Sequence, residues 1–297
     1  MVDVASSPSF DSIYNTEQSL FLTYVTKTLR SRLDRLAPDQ VIRVLEVGCG
    51  PAYFAPLLSR ELQGKARIVG IDPSTDDINA ALERRKDVQD DNVELRVSEF
   101  LEFEDQEKFD VILFTKSLHH ISPLDKAVEH ANYLLAPSGT MIVEELDFNI
   151  VTEATMSWLF DRVDLISSAG LLRPSEIKNA NHHANHHANH HANHHANHNF
   201  KTGQFLNRTL PVLQRWPDFP SLSERMTLIT AISRVFGEAN VSVTGAAFLY
   251  HFFLKAGLED SSAGAQTLSI FMEQEVRAIN SSSIIPLGFH VVAEKRQ

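Results

Sequence analysis

The sequence predicts an α/β fold in which helices cover a mostly parallel sheet. Between residues 41 and 146, short apolar runs alternate with amphipathic segments, as in parallel strands joined by crossover helices. The run at 41–47 is too short for a helix, and Gly48 and Gly50 follow it directly. Such a strand, a glycine turn and a new helix beginning at Pro51 together predict a site for a nucleotide-like ligand.

The turn itself narrows the class of nucleotide. A dinucleotide fingerprint requires a third glycine where this chain has Tyr53, and no Gly-Lys-Ser/Thr sequence indicates an ATPase-type phosphate loop. The second predicted strand, 66–72, ends in Asp72, which lies 22 residues after Gly50. A carboxylate at this strand end can accept two hydrogen bonds from a ribose diol, and the alternative is a helix cap.

The remaining elements divide the chain into four regions. In residues 1–40, Asn15 with Gln18 forms an N-terminal cap signature, after which a helix runs to about Leu36 and ends at Pro38. Residues 41–147 form the cofactor-binding core. Residues 148–238 form a helical lid with predicted helices at 152–168, 202–216 and 221–236. Residues 239–297 complete the sheet through strands at 241–243, 246–254 and 289–293 and a helix at 265–279.

The glycine turn resembles motif I of class I S-adenosylmethionine-dependent methyltransferases, which is acidic-x-Gly-x-Gly-x-Gly. Glu46, Gly48 and Gly50 match it, and Ala52 replaces the third glycine. The loop Leu-His-His-Ile at 118–121 and the Leu-Leu-x-Pro-x-Gly sequence at 134–139 are also similar to that family. The resemblance covers residues 41–147. It implies S-adenosylmethionine as cofactor and a Rossmann-like seven-stranded sheet of order 3-2-1-4-5-7-6.

The resemblance also implies which residues bind the cofactor. According to this resemblance, Glu99 binds the adenine amino group and Phe100 packs on the adenine ring. Cys49, between the two glycines, is interpreted as a small residue that fits rather than as a nucleophile. The predicted cofactor-binding residues are Glu46, Gly48, Cys49, Gly50, Asp72, Pro73, Ser98, Glu99, Phe100 and Lys116.

His119 and His120 follow the fourth strand, where the resembled enzymes place the methyl group, and they are the candidate catalytic residues. An imidazole can take a proton from a hydroxyl or ammonium near neutral pH, and the alternative is that both only shape the loop. Tyr14, Glu145, Asp147 and Asn149 are the candidate substrate residues, the last three as ligands of a substrate amine. His251, in an aromatic run, is predicted to be a packed core histidine.

Composition sets further expectations. The formal net charge is −11 without a basic stripe, which argues against nucleic acid as partner. Cys49 is the only cysteine, no apolar run is long enough to span a bilayer, and we expect a cytoplasmic monomer or homodimer that acts away from membranes. Residues 180–199 repeat Ala-Asn-His-His four times, with a partial fifth copy. We interpret this repeat as a low-complexity loop rather than a metal site.

Together these observations predict S-adenosylmethionine-dependent methyl transfer to an oxygen or nitrogen of a small molecule. Because the sulfonium methyl is already activated, alignment and exclusion of water should carry most of the catalysis. Two alternatives stay open: a methyltransferase-like subunit without activity, and an enzyme that uses the cofactor for a non-methylating rearrangement.

Overall fold

The computed structural model describes residues 12–37, 40–86, 90–173, 201–216 and 225–296. Its centre is a seven-stranded sheet of order 3-2-1-4-5-7-6, which confirms the predicted topology. The first five strands in sequence pair in parallel, and the seventh is antiparallel to the fifth and the sixth. All five parallel strands therefore end at one edge of the sheet, called here the carboxyl edge.

The chain enters the sheet through two helices, α1 (Ile13–Glu17) and α2 (Ser19–Leu33). Ser12 caps α1, and its side chain accepts a hydrogen bond from the Tyr14 amide. The predicted start at Asn15 and Gln18 was therefore wrong, because Asn15 lies inside α1 and Gln18 joins the two helices. This separate short helix crosses the carboxyl edge, where it becomes part of the site.

Strands and helices then alternate as predicted. They are β1 (Ile42–Val47), α3 (Phe54–Glu61), β2 (Ala66–Asp72), α4 (Thr75–Arg85), β3 (Val93–Val97), β4 (Phe109–Thr115), α5 (Leu124–Leu134) and β5 (Leu135–Leu146). The Ser74 hydroxyl accepts from the Asp77 amide and caps α4 directly after β2. Asp72 is thereby held at the turn between strand and helix.

The second half begins with α6 (Glu153–Ser168), which agrees with the helix predicted at 152–168, and Thr152 caps it. The predicted helix at 202–216 is instead two short helices, α7 (Thr202–Phe205) and α8 (Val212–Arg215). After them come α9 (Arg225–Phe236), β6 (Val241–Ala246), α10 (His251–Lys255), α11 (Ser262–Asn280) and β7 (Gly288–Glu294). The repeat at 180–199 lies outside the described residues.

The predicted strand at 246–254 was wrong, because β6 ends at Ala246 and the aromatic run forms α10. The reason lies on α11, where the buried carboxylate of Glu275 accepts hydrogen bonds from the amides of Phe248, Leu249 and Tyr250 at 2.6, 2.8 and 3.1 Å. A side chain thus satisfies the backbone donors that a strand would have offered to a neighbouring strand. Burial also raises the pKa of Glu275 to about 7.

The apolar residues form three main clusters. Side chains of α5 and α9 cover one face of the sheet, and those of α2 and α3 cover the other. The third cluster joins α1, α6, α7, α10 and α11 beyond the carboxyl edge. Because α9 packs on the sheet, it belongs to the core rather than to the lid predicted at 148–238.

Among the described residues, no helix is long and apolar enough to cross a membrane. That same part of the chain holds no group of three or more metal-ligating side chains arranged to bind a metal ion. The cytoplasmic location and the monomeric or dimeric state stay predictions.

Candidate active site

The glycine turn after β1 lies at the carboxyl edge and requires glycine at its first position. Gly48 has φ +70°, and a Cβ atom there would lie 2.5 Å from the Cβ of Ser117. Ser117, in the loop after β4, donates from its hydroxyl to the carbonyl of Val47 at 2.5 Å. Any side chain at residue 48 would therefore separate the turn from the loop that carries the candidate catalytic histidines.

Gly50 has φ +50°, and a Cβ atom there would meet no atom within 4 Å, so the turn faces open space. Its amide donates to Oδ2 of Asp72 at 2.8 Å, and the amide of Ser74 donates to Oδ1 at 2.8 Å. Each carboxylate oxygen has a second lone pair that can accept from a ligand hydroxyl. Ala52, which replaces the third glycine of the motif, adopts φ +51°, a left-handed conformation that favours glycine.

Glu46, the acid of the motif, is buried at the end of β1. Burial raises its pKa to about 8. Oε1 accepts from the hydroxyl of Thr115 at 3.5 Å, and Oε2 has no hydrogen-bond partner in the described ranges. Without a cationic partner this side chain is mostly protonated at pH 7, whereas a bound ammonium group would favour the carboxylate and give Oε2 a partner, which fits a cofactor that carries such a group. These residues therefore suit S-adenosylmethionine.

The other predicted cofactor residues take different positions. Cys49 is buried, and burial raises the pKa of its thiol, which agrees with an inert filling residue. Pro73 lies directly after Asp72 and is partly buried, while the amide of Ser98 donates to the Asp72 carbonyl at 3.1 Å. Glu99 is exposed. Phe100 packs in the core, edge-on to Phe114 with ring centroids 5.3 Å apart.

Lys116 forms ion pairs with two carboxylates of the protein. Its Nζ lies 3.2 Å from Oε1 of Glu17 on α1 and 3.7 Å from Oε2 of Glu144 on β5. Burial disfavours the ammonium, but the two carboxylates prevail and raise the pKa of Lys116. Lys116 thus joins α1 to the loop after β4, a role that the sequence did not reveal. Its predicted cofactor contact stays a prediction.

His119 and Glu145 form an acid–base pair at the carboxyl edge. Glu145, which is fully buried near the end of β5, accepts from the His119 amide at 3.1 Å and contacts Nδ1 of the ring at 2.6 Å. The two carboxylate oxygens of Glu145 thus contact His119 at its backbone amide and at its ring. The sequence placed both residues at this edge but assigned Glu145 to a substrate amine instead of to His119.

His120 is exposed, with its ring centroid 3.9 Å from that of His119. Asp147 accepts from the Asn149 amide at 3.0 Å and caps a turn of 3-10 helix, while Asn149 itself is exposed. Tyr14 stacks on Tyr53 of the glycine turn, with centroids 4.9 Å apart. Tyr14 therefore lies beside the glycine turn, whereas Asp147 has a local structural partner.

A family model described as "Methyltransferase domain" matches residues 38–209, which is more than half of the chain. The chain belongs to this methyltransferase domain family. The family predicted from the glycine turn and the following motifs is thereby confirmed, and the match covers β1–β5, α6 and α7.

Individual relatives match only about a third of this chain, at identities near 30%. A ubiquinone biosynthesis O-methyltransferase of Bradyrhizobium diazoefficiens is 30% identical over 108 residues, covering 36% of this chain and 41% of the relative. The mouse mitochondrial arginine-hydroxylase NDUFAF5 is 34% identical over 98 residues, covering 33% of this chain and 27% of the relative. The chain thus spans less than half of the length of either protein.

A solved structure supports the fold over nearly the whole methyltransferase chain. The crystal structure of a putative sarcosine dimethylglycine methyltransferase from Galdieria sulphuraria superposes with a TM-score of 0.51 at 11% identity. The match covers 94% of this chain and 86% of that structure. It extends the shared fold to the C-terminal strands.

Proposed function

We propose that this protein transfers a methyl group from S-adenosylmethionine to a hydroxyl oxygen of a small molecule. The observation that carries the proposal is the contact between Glu145 and both the amide and Nδ1 of His119. That contact orients an imidazole at the carboxyl edge, next to the glycine turn, and prepares it to act as a general base.

Four residues would hold the cofactor. Gly48 and Gly50 supply the close approach of the backbone, Asp72 supplies acceptors for the ribose diol, and Glu46 supplies an acceptor for the ammonium group. When bound, S-adenosylmethionine supplies a methyl group that its sulfonium already activates.

His119 would take the proton from the acceptor hydroxyl. Since Nδ1 is bound to the buried carboxylate of Glu145, the nitrogen that receives the proton is Nε2. The carboxylate then stabilises the imidazolium that forms, at a contact of 2.6 Å that excludes water. The remaining catalysis comes from alignment and desolvation under α1 and the lid.

Oxygen is favoured over nitrogen as the acceptor atom because of where the carboxylates lie. A substrate ammonium would need a carboxylate partner, and Glu145 is engaged with His119 through both oxygens while Asp147 caps its own backbone. A hydroxyl needs a base, which His119 provides. The intact set of Glu46, Gly48, Gly50 and Asp72 argues against a subunit without activity.

The experiment is an assay of S-adenosylhomocysteine release with a panel of phenols, alcohols and amines. We expect release with hydroxyl acceptors, and His119→Ala should lower kcat by about 10²-fold or more. His120→Ala is the matched control, because this neighbouring imidazole is exposed, and it should stay within about threefold of the wild type. Release with amines alone, or equal loss in both variants, would contradict the proposal.

A further inference from the structure

A second histidine–glutamate pair lies at the carboxyl edge, and the proposed transfer does not use it. β6 is antiparallel to β7, which is antiparallel to β5, so that β5 and β6 run in the same direction. Leu146 and Ala246, the last residues of these two strands, both pair with Gly288. α10 starts five residues after Ala246 and brings His251 to the edge where His119 lies.

Glu17, at the end of α1, forms a hydrogen bond with the imidazole of His251. Oε1 of Glu17 makes a short hydrogen bond with Nδ1 of His251 and lies 3.2 Å from Nζ of Lys116. Burial opposes ionisation of Glu17, but Lys116 and His251 outweigh it and lower its pKa to about 2. The carboxylate is therefore ionised, and Nδ1 of His251 carries the proton that it donates to Glu17.

Nε2 of His251 is consequently an acceptor nitrogen. Within the described ranges it has no hydrogen-bond partner, and 23% of the side chain is exposed. Burial lowers the pKa of His251, so the imidazole is neutral near pH 7. Burial outweighs the attraction of the Glu17 carboxylate, and the charges of Lys116 and Lys255 add to the lowering of this pKa.

Aromatic rings flank this acceptor. The ring centroids of Phe248 and Phe252 lie 5.3 and 6.0 Å from that of His251. Phe252 in turn packs edge-on to Trp216 at 4.7 Å. Because Phe248 and Phe252 are buried, these rings fix the position of the imidazole, and the partly exposed side chain of His251 is what a ligand hydroxyl can contact.

We propose that His251, oriented by Glu17, binds a second hydroxyl group of the acceptor, so that the acceptor is a small molecule with at least two neighbouring hydroxyl groups. This inference rests on the proposed function, in which His119 receives the proton of the reacting hydroxyl. Only β7 separates β5 from β6, and at about 4.8 Å per strand their ends lie about 10 Å apart. Side chains that reach inward from these ends can both contact one small molecule.

The test compares catechol with phenol through the ratio of their kcat/KM values. Two variants separate the roles of the ring nitrogens. His251→Asn keeps a donor for Glu17 and loses the acceptor at Nε2, whereas His251→Gln places an amide oxygen near Nε2 and loses the donor. We expect the wild type to prefer catechol, the Asn variant to lose about tenfold of that preference, and the Gln variant to keep most of it.

A purely structural role for His251 predicts the reverse order, because only the Asn variant keeps the bond to Glu17. That order, or a wild type without preference for catechol, would overturn the inference and leave the proposed function intact if phenol is turned over. If neither probe is turned over, the proposed function is decided by the panel of phenols, alcohols and amines described above. In that case, calorimetry of catechol binding to the complex with S-adenosylhomocysteine tests whether His251 binds a hydroxyl group. Equal affinity in wild type and His251→Asn would overturn this role.

Discussion

Replacing Glu145 by glutamine tests the catalytic pair most directly. The carboxylate faces two donors, the His119 amide at 3.1 Å and the ring Nδ1 at 2.6 Å. Glutamine offers one acceptor and one donor, so it can satisfy only one of them. If its oxygen meets the backbone amide, its NH₂ group faces Nδ1 and selects the tautomer with the proton on Nε2, which cannot act as a base.

If the glutamine oxygen meets Nδ1 instead, the His119 amide faces an NH₂ group in a fully buried place, which costs about 1–3 kcal/mol. The first arrangement should therefore prevail. Loss of the base lowers kcat by about 10²- to 10³-fold, which is about 2.7–4 kcal/mol of activation free energy. Affinity for S-adenosylhomocysteine should change by less than about threefold, because His119 and Glu145 take no part in the proposed cofactor contacts.

The assay is a single-turnover measurement at saturating S-adenosylmethionine, which separates chemistry from product release. The matched control is the same substitution in the His119→Ala background, where Glu145→Gln should change the rate by less than about twofold. Two outcomes would refute the reasoning: a rate for Glu145→Gln above about one third of the wild type, or an equal loss in both backgrounds.

Three further predictions address the cofactor site and the α1 contact. Asp72→Ala should weaken S-adenosylmethionine binding by about 1–3 kcal/mol in calorimetry, and unchanged affinity would refute the ribose assignment. Gly48→Ala should lower the melting temperature more than Gly50→Ala, because only the first substitution brings a methyl group to 2.5 Å from Ser117; equal shifts would argue against that clash. Glu17→Gln should destabilise the protein at pH 7 by about 3–5 kcal/mol. Because the folded pKa of Glu17 is about 2 and the ordinary value is 4.5, this difference should shrink as pH falls from 4.5 towards 2, and chemical denaturation showing a constant difference would contradict the ion pair.

The aromatic run at 248–253 shows where the local sequence pattern predicted the wrong secondary structure. A short apolar run cannot distinguish a strand from a buried helix by periodicity. Glu275 lies 25 to 27 residues later in the chain, and its carboxylate takes three amides that a strand would have used. No residue within the run indicates that contact. The sequence therefore predicts His251 in the core, whereas the structure places it at the edge of the site.

Elements that depend on neighbouring residues can be predicted from the sequence alone. The strand before Gly48, the left-handed turn, the acid at the end of β2 and the alternation of helices and strands follow from neighbouring residues, and the strand order followed from the family resemblance. The side-chain partners, in contrast, depend on the fold: Glu145 pairs with His119 across 26 residues, Lys116 with Glu17 across 99, and His251 with Glu17 across 234. The physical reason is that a charged side chain pairs with whichever partner the packing of strands and helices brings within reach, and that distance in space has no counterpart in local sequence pattern.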